Sequence, residues 1–376
     1  MAAFSVLIFG GYGLFGSHIA RRLASEAGWR VVIAGRDGTA AARLCDELRQ
    51  ESHCVAELAA LMCDAHAPGL SDLLTSERIQ LVINTCGPFQ NQDYAVARAV
   101  LAAGVHYIDL ADARAFVVAF DELDAEARSR GRIAVCGAST VPGLSAAIVD
   151  GFRAEFKHLE TIDIGISPGN RTPRGLATMA AILSYVGRPL PWRGEGRRRD
   201  VSGWQHLQRW HYPSPVGTRW LAACDVPDLD LFPRRYPELH ALRFRAGLEL
   251  RSLHFGLWLL SWLVRARLLH RLDRHANRLK SMSEWFVGSG SDAGAMHVDL
   301  RGVGVDGKRL RVIWQMIATQ GDGPQIPATA AVLLARKLAR GQLSARGAMP
   351  CIGLFTLQEF IDELDGYAIA VELERS

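Results

Sequence analysis

Three glycines near the N-terminus have the types and spacing of a phosphate-binding turn. The stretch follows the pattern G-x-G-x-x-G and reads Gly11-Tyr12-Gly13-Leu14-Phe15-Gly16. In such a turn the first glycine permits a tight bend, the second lets the backbone approach a pyrophosphate, and the third allows close helix packing. An apolar run precedes the motif and an amphipathic stretch, residues 17–27, follows it, as a dinucleotide site requires. The sequence therefore predicts a dinucleotide at the N-terminus of the first helix.

The end of the second predicted strand distinguishes NADP from NAD. An NAD site usually places Asp or Glu about 20 residues beyond the motif, whereas this chain has Ala34-Gly35-Arg36 there. A guanidinium at that point pairs with the 2′-phosphate of NADP and stacks on its adenine. Asp37 follows Arg36 and could instead contact a ribose. The alternative for Arg36 is that its side chain is only a solvated cation in a loop. We predict NADP as the cofactor, with Arg36 as the discriminating residue.

Two further strand ends are predicted to contact the cofactor. Asp64, in Leu61-Met62-Cys63-Asp64, follows the expected third strand and is placed to meet the adenine edge or, alternatively, to cap a helix. Cys86, Gly87 and Pro88 follow the strand that ends at Asn84, close to the expected nicotinamide ribose. Ligands of doubly wound sheets bind at the carboxyl ends of the strands. These loops are therefore included in the predicted site.

Two carboxylates are candidates for the chemical step. Hydride transfer needs a nicotinamide and often one proton donor, and Asp109 and Asp112 come at the end of the expected fifth strand, the apolar run 107–110. Each is suited to orient a substrate amine or to act as a general acid, and each is equally suited to cap a helix beginning near Arg114. None of the 12 histidines has a metal-binding spacing and no G-x-S-x-G elbow occurs. A metal site and a serine hydrolase are therefore not predicted.

A parallel sheet is needed to bring these strand ends to one edge. Short apolar runs alternate with amphipathic stretches, which indicates a parallel sheet covered on both faces; the runs are residues 4–9, 31–34, 81–84, 107–110 and 133–136. Later strand-like stretches flank Asp306-Gly307, a strong hairpin signal. The predicted fold class is α/β, with an N-terminal Rossmann doubly wound parallel sheet and a second α+β domain built on an antiparallel sheet. The predicted domains are residues 1–145 for NADP, 146–330 for substrate and dimerisation, and a C-terminal helical segment, 331–376, that packs back on the body.

Composition limits the class of partner. The 376 residues are 49% hydrophobic and 22% charged, and the net charge is +4, which is typical of a globular protein and too small to indicate nucleic acid. The basic runs Arg197-Arg198-Arg199 and Arg234-Arg235 are predicted to be solvated loops, with an anionic ligand or lipid headgroup as the alternative. The seven cysteines are odd in number and lack C-x-x-C spacing. A reducing cytoplasm is therefore expected.

One segment, from Leu253 to Leu269, is unusually apolar. Trp258 and Trp262 lie one helical turn apart within it, and arginines follow it. The apolar part is too short to span a bilayer. One interpretation is a helix buried in the second domain or in a homodimer contact. The other is a helix that lies at a membrane interface or covers a hydrophobic substrate. Peripheral membrane contact and a homodimer are both carried forward as expectations.

The ordered blocks of the chain resemble the saccharopine dehydrogenase-like reductases. The blocks are residues 11–16, 34–36, 84–89 and 104–109, followed by Val141-Pro142-Gly143 and residues 320–323. The likeness covers the first 145 residues well and the remainder in outline. Many relatives carry Gly-Glu where this chain has Ala111-Asp112-Ala113, so the original saccharopine chemistry is not implied. The resemblance implies an NADP-dependent oxidoreductase acting on a C=N, C=C or C=O bond of a small molecule, with a hydrophobic substrate as one option. A non-catalytic NADP(H)-binding, membrane- or lipid-associated protein is the alternative.

Overall fold

The computed structural model describes residues 3–376. Its strands, in chain order, are β1 (Phe4–Phe9), β2 (Trp29–Gly35), β3 (Glu57–Met62), β4 (Leu81–Asn84), β5 (His106–Asp109), β6 (Ile133–Cys136), β7 (Phe156–Ser167), β8 (Pro189–Gly194), β9 (Arg197–Ser202), β10 (Gln208–His211), β11 (Thr218–Ala223), β12 (Ala241–Ala246), β13 (Gly294–Gly304), β14 (Arg309–Ala318), β15 (Gly347–Pro350) and β16 (Ile369–Arg375).

The α-helices, in chain order, are α1 (Leu14–Leu23), α2 (Gly38–Arg49), α3 (Leu70–Ser76), α4 (Ala95–Ala102), α5 (Arg114–Val118), α6 (Asp124–Ser129), α7 (Ser145–Arg153), α8 (Leu176–Tyr185), α9 (Asp228–Arg235), α10 (Arg251–Arg265), α11 (Ala276–Glu284), α12 (Gln325–Ala339) and α13 (Leu357–Asp362). Within residues 3–376, no helix is both long enough and apolar enough to cross a membrane.

The chain forms two compact units. Unit 1 contains the residues up to Leu144 together with Pro324–Glu363, and unit 2 contains Ser145–Gly323 and Leu364–Ser376. The segment 331–376, expected to be a helical unit packing back on the body, is thus divided between them. It also contains β15 and β16, which the helical expectation omitted. These strands are short or exposed, and they depend on pairing with partners far away in the sequence.

Unit 1 is built on a seven-stranded sheet in the order β15-β6-β5-β4-β1-β2-β3. The neighbouring strands are parallel. Most of β1 and β4 is completely buried, because helices cover both faces of a parallel sheet and its strands become continuous apolar runs. The order of the first six strands is that of a doubly wound dinucleotide fold. The predicted Rossmann sheet is confirmed.

The second segment of unit 1 is tied to the first through helix α1. The guanidinium of Arg22, on α1, donates to Thr329 Oγ1 at 2.8 Å and to Glu363 Oε2 at 2.7 Å. Both partners are more than 300 positions away in the sequence. Strand β15 adds a seventh strand by pairing beside β6. The helix that carries the glycine motif is thus supported by residues from near the C-terminus.

Unit 2 is built on a nine-stranded sheet, whose main path runs β10-β11-β12-β7-β13-β14-β16. Strands β13 and β14 form the predicted hairpin, with Gly307 at φ +82° in the turn. The pair β7–β12 is parallel, whereas β13, β14 and β16 pair antiparallel. The α+β architecture is confirmed, with a mixed rather than purely antiparallel sheet. Residues 189–223, for which no elements were predicted, supply the short strands β8 to β11.

Candidate functional site

The glycine motif forms a tightly packed turn between β1 and α1. A Cβ atom on Gly16 would lie 2.2 Å from the carbonyl oxygen of Gly10, and one on Gly11 would lie 2.9 Å from that of Ile8. Helix α1 begins at Leu14, directly after Gly13, and Gly13 provides no side-chain cap. The first N–H groups of a helix lack partners within it and favour an anion. The turn therefore has the backbone geometry that a pyrophosphate requires.

Tyr12 joins this turn to the end of β2. Its hydroxyl accepts a hydrogen bond from the backbone N–H of Asp37 at 3.0 Å. Its ring lies against Gly35, where a Cβ atom would come within 2.4 Å of the ring carbon Cε1. Gly35 is therefore needed, because any side chain at this position would collide with the Tyr12 ring. Sequence reasoning included Tyr12 only as a member of the motif and did not predict this contact.

Arg36 and Asp37 have different environments at the end of β2. The carboxylate of Asp37 caps α2, accepting from the backbone N–H of Ala40 at 3.0 Å, so a ribose contact is not needed to explain it. The side chain of Arg36 is exposed and makes no hydrogen bond or ion pair within residues 3–376. An unpaired guanidinium beside a phosphate-binding turn is suited to a further phosphate.

Asp64 holds the turn that follows β3. Its Oδ1 atom accepts from the backbone N–H of His66 at 3.0 Å, and the next helix, α3, begins only at Leu70 after Gly69. The predicted alternative of helix capping is therefore wrong. Burial is the largest effect on the Cys86 thiol and raises its pKa to about 11. The charge of Arg36 lowers this pKa and the charge of Asp64 raises it. The ends of β2, β3 and β4 thus lie within electrostatic range of each other.

The loop after β4 is fixed by side chains that the sequence did not single out. Asn84 accepts from the N–H of Cys86 at 3.0 Å and donates to the Tyr107 hydroxyl at 3.1 Å. Thr85 Oγ1 donates to the carbonyl oxygen of Phe9 at 2.8 Å, which joins this loop to β1. The peptide bond between Gly87 and Pro88 is cis. The sequence signal that could have identified Asn84 is a polar residue at the end of an otherwise apolar strand.

Asp109 is completely buried at the end of β5. Its Oδ1 atom accepts from the N–H groups of Ala111 at 2.9 Å and Gly137 at 2.8 Å. Its Oδ2 atom has no hydrogen-bond partner within the described residues. Burial raises the pKa of Asp109 to about 7, against the lowering effect of the two N–H groups and of Tyr107. The side chain therefore joins the ends of β5 and β6, and carries its proton more readily than an ordinary carboxyl group.

Asp112 is only partly buried and lies next to the loop that follows β4. Its Oδ1 atom accepts from Gln90 Nε2 at 3.3 Å. The residue before α5 is Ala113, which provides no side-chain cap. Because Asp109 accepts from the N–H groups of Ala111 and Gly137 instead, the predicted capping by Asp109 is wrong. Of the two candidates, Asp112 is the one that solvent reaches.

Comparison with known proteins agrees with this geometry. Residues 6–135 match the family described as the saccharopine dehydrogenase NADP-binding domain. The apo saccharopine dehydrogenase (L-Glu forming) from Saccharomyces cerevisiae is 12% identical, with 100% of each chain covered and a TM-score of 0.69. A biliverdin reductase from Synechocystis sp. PCC 6803, solved with biliverdin and NADP+, is 13% identical, with 96% of each chain covered and a TM-score of 0.41. No curated protein matches the chain in sequence.

The fold and the glycine turn define an NADP-binding domain of oxidoreductase type. In residues 6–135 this domain is of the saccharopine dehydrogenase-like NADP-binding type. The expected family and the expected cofactor are thereby confirmed. The likeness to the yeast enzyme, at 12% identity, extends to the fold of the whole chain.

Proposed function

We propose that the protein is an NADP(H)-dependent oxidoreductase that transfers hydride to or from a C=N, C=C or C=O bond of a small molecule. The observation that carries this proposal is that unit 1 contains both the tightly packed glycine turn and the guanidinium of Arg36, which has no partner within the described residues. The turn offers backbone N–H groups to a pyrophosphate, and Arg36 offers charge-assisted hydrogen bonds to the 2′-phosphate. NADP requires both, because it carries phosphate at both positions.

The remaining site residues divide into binding and positioning roles. The bound nicotinamide would supply or accept the hydride. Cys86, Gly87 and Pro88 would border its ribose, since they follow β4 at the carboxyl edge of the sheet. Asp112 is the candidate proton donor, because it is partly exposed at that edge. Asp109 is a positioning residue, because its carboxylate fixes the loops after β5 and β6.

Nucleotide titrations of the whole protein test the cofactor site. NADPH and NADH are titrated against wild type and Arg36→Ala, with nicotinamide fluorescence as the signal. Losing a hydrogen bond to a charged group costs about 2 kcal/mol, so Arg36→Ala should bind NADPH about 30-fold more weakly and bind NADH unchanged. Arg78→Ala is the matched control, because Arg78 is also exposed but precedes β4, at the opposite edge of the sheet.

Two outcomes would contradict this assignment. If neither nucleotide binds to wild type, the glycine turn has only a structural role and the oxidoreductase proposal fails with it. If Arg36→Ala and Arg78→Ala weaken NADPH binding equally, Arg36 is not the group that recognises the 2′-phosphate. The proposed reaction would then need a different basis for cofactor choice.

Turnover is tested separately, by NADPH oxidation with imines and hydrophobic enoyl compounds as acceptors. Asp112→Asn should lower kcat about 100-fold or more and leave the Kd for NADPH unchanged. The second candidate is a non-catalytic NADP(H)-binding protein associated with lipid, which is favoured by the exposed side chains of Leu259 and Trp262 on α10. Tight NADPH binding without oxidation by any acceptor would favour that candidate.

A further inference from the structure

Helix α10 has two different sides. Leu257, Trp258, Leu260 and Val264 pack against a buried cluster of unit 2, which comprises Leu183, Val186, Trp204, Ala222, Leu272 and Ala276. On the other side, Leu259 is 57% exposed and Trp262 is 44% exposed. The helix is therefore neither fully buried nor fully surface-bound, and an apolar stripe remains uncovered.

The exposed apolar residues continue beyond α10. They include Leu268, which is 71% exposed, Met282 on α11, and Trp285, which is 82% exposed directly after α11. Helix α11 packs against the same buried cluster through Ala276 and Leu279. Together with Leu259 and Trp262, these side chains are named the apolar face of unit 2. Large apolar side chains exposed together often mark a surface that contacts a partner or a membrane.

Arginines border the apolar face. A pocket of about 580 Å³ is lined by Arg188, Arg265, Arg267, His270 and Arg271, with Asp200 as its acidic residue. Arg265 lies over the ring of Trp262, with its Cζ atom 5.1 Å from the ring centroid, so the basic pocket and the apolar face adjoin.

Several cations in the pocket or just after it in the sequence are unpaired. Arg267, Arg274 and Arg278 make no hydrogen bond or ion pair through their side chains within the described residues, whereas Arg271 pairs with Asp273. Positive charge at this border is therefore only partly neutralised by the protein. A partner that supplies negative charge next to an apolar interior would complement it.

We propose that unit 2 docks on an anionic membrane surface through its apolar face, with a lipid phosphate in the arginine-lined pocket. Tryptophan and leucine insert at the boundary between headgroups and acyl chains, while arginines attract anionic lipids. A second copy of the chain is the less suitable occupant. A symmetric dimer would place the same surface against itself and bring the unpaired arginines together. This proposal is independent of the oxidoreductase proposal.

Vesicle flotation of the full chain tests the proposal. Vesicles of phosphatidylcholine alone are compared with vesicles that also contain phosphatidylglycerol. We expect binding to the anionic vesicles, and a loss of about tenfold or more when Trp262→Ser and Trp285→Ser are combined. The matched control combines Val55→Ser and Val305→Ser, since these residues are also strongly exposed but lie outside the apolar face. It should bind as wild type does.

A second pair of variants tests the charge. Each arginine near an anionic surface contributes about 1 kcal/mol, so Arg267→Glu with Arg274→Glu should weaken binding to anionic vesicles about tenfold or more. Arg234→Glu with Arg340→Glu is the control, because these arginines are exposed and unpaired within the described residues but lie elsewhere. All variants are also titrated with NADPH, and retained affinity shows that unit 1 is folded and separates this test from that of the cofactor site.

Three results would overturn the proposal. The first is the absence of flotation of wild type with either vesicle. The second is binding that neither the tryptophan pair nor the arginine pair changes. The third comes from light scattering: a dimeric wild type that becomes monomeric in the tryptophan variant would show that a second copy occupies the apolar face.

Discussion

Two regions of the molecule are suited to bind phosphate groups, and they differ in the groups that would bind them. The turn between β1 and α1 offers backbone N–H groups, and its packing leaves no room for a Cβ atom on Gly16. The border of the apolar face offers arginine side chains that are exposed and partly unpaired. A rigid backbone cradle selects one ligand geometry, whereas flexible arginines accept phosphates in many positions. The first arrangement suits a defined cofactor and the second suits a lipid surface.

The largest expected effect comes from Gly16→Ala. The added Cβ atom would lie 2.2 Å from the carbonyl oxygen of Gly10, and overpacking of this kind costs about 3 kcal/mol. We expect the Kd for NADPH to rise about 100-fold, while flotation with anionic vesicles stays unchanged. Gly194→Ala is the control, because open space surrounds that position. An NADPH affinity within a few-fold of wild type would show that the turn does not set the binding geometry.

A smaller effect concerns one buried carboxyl group in each unit. Burial raises the pKa of Asp109 and of Asp228 to about 7, so each favours folding below about pH 4, and this contribution is lost as the pH rises through about 7. The unfolding free energy should fall by about 1.4 kcal/mol per pH unit within that window for each group. Urea unfolding of the wild type between about pH 5 and 6.5 should thus show a fall of about 4 kcal/mol, of which Asp109→Asn removes about 2 kcal/mol.

Asp228→Asn serves as the comparison in unit 2, where Asp228 accepts a hydrogen bond from the Ser145 hydroxyl. It should remove a similar part of the pH dependence and leave NADPH affinity unchanged, because Asp228 is outside the NADP-binding domain. A pH dependence of the full wild-type size in Asp109→Asn would mean that Asp109 is ionised in the folded protein, with the Ala111 and Gly137 N–H groups dominating over burial.

The smallest expected effect is a difference in salt dependence between the two regions. Raising sodium chloride from about 0.05 to about 0.5 M shortens the Debye length several-fold. Vesicle binding should weaken about tenfold, because exposed arginines supply its attraction. NADPH binding should weaken less, since backbone N–H groups carry part of it. Equal salt dependence in the two titrations would show that both regions bind phosphate mainly through side-chain charge.

Local sequence signals predicted the elements whose geometry depends on neighbouring residues. The glycine motif and Arg36 lie within one strand–turn–helix–strand unit, and Asp306-Gly307 lies within one hairpin. In each of these, residue type and spacing restrict the backbone to few conformations. The family, the parallel sheet of unit 1 and NADP followed from them. Helix capping by Asp109 was a wrong prediction, because a carboxylate before a helix has several backbone partners within reach.

The sequence by itself determined the phosphate-binding turn and the alternation of strands and helices, because these depend on local spacing and apolar periodicity. Tertiary structure alone decided that Asp109 bonds to Gly137, that Tyr12 reaches Asp37, and that β15 extends the first sheet. It also decided which side of α10 is buried. The physical reason is that these contacts join residues distant in the sequence, and such partners are selected by the packing of whole elements rather than by any local pattern.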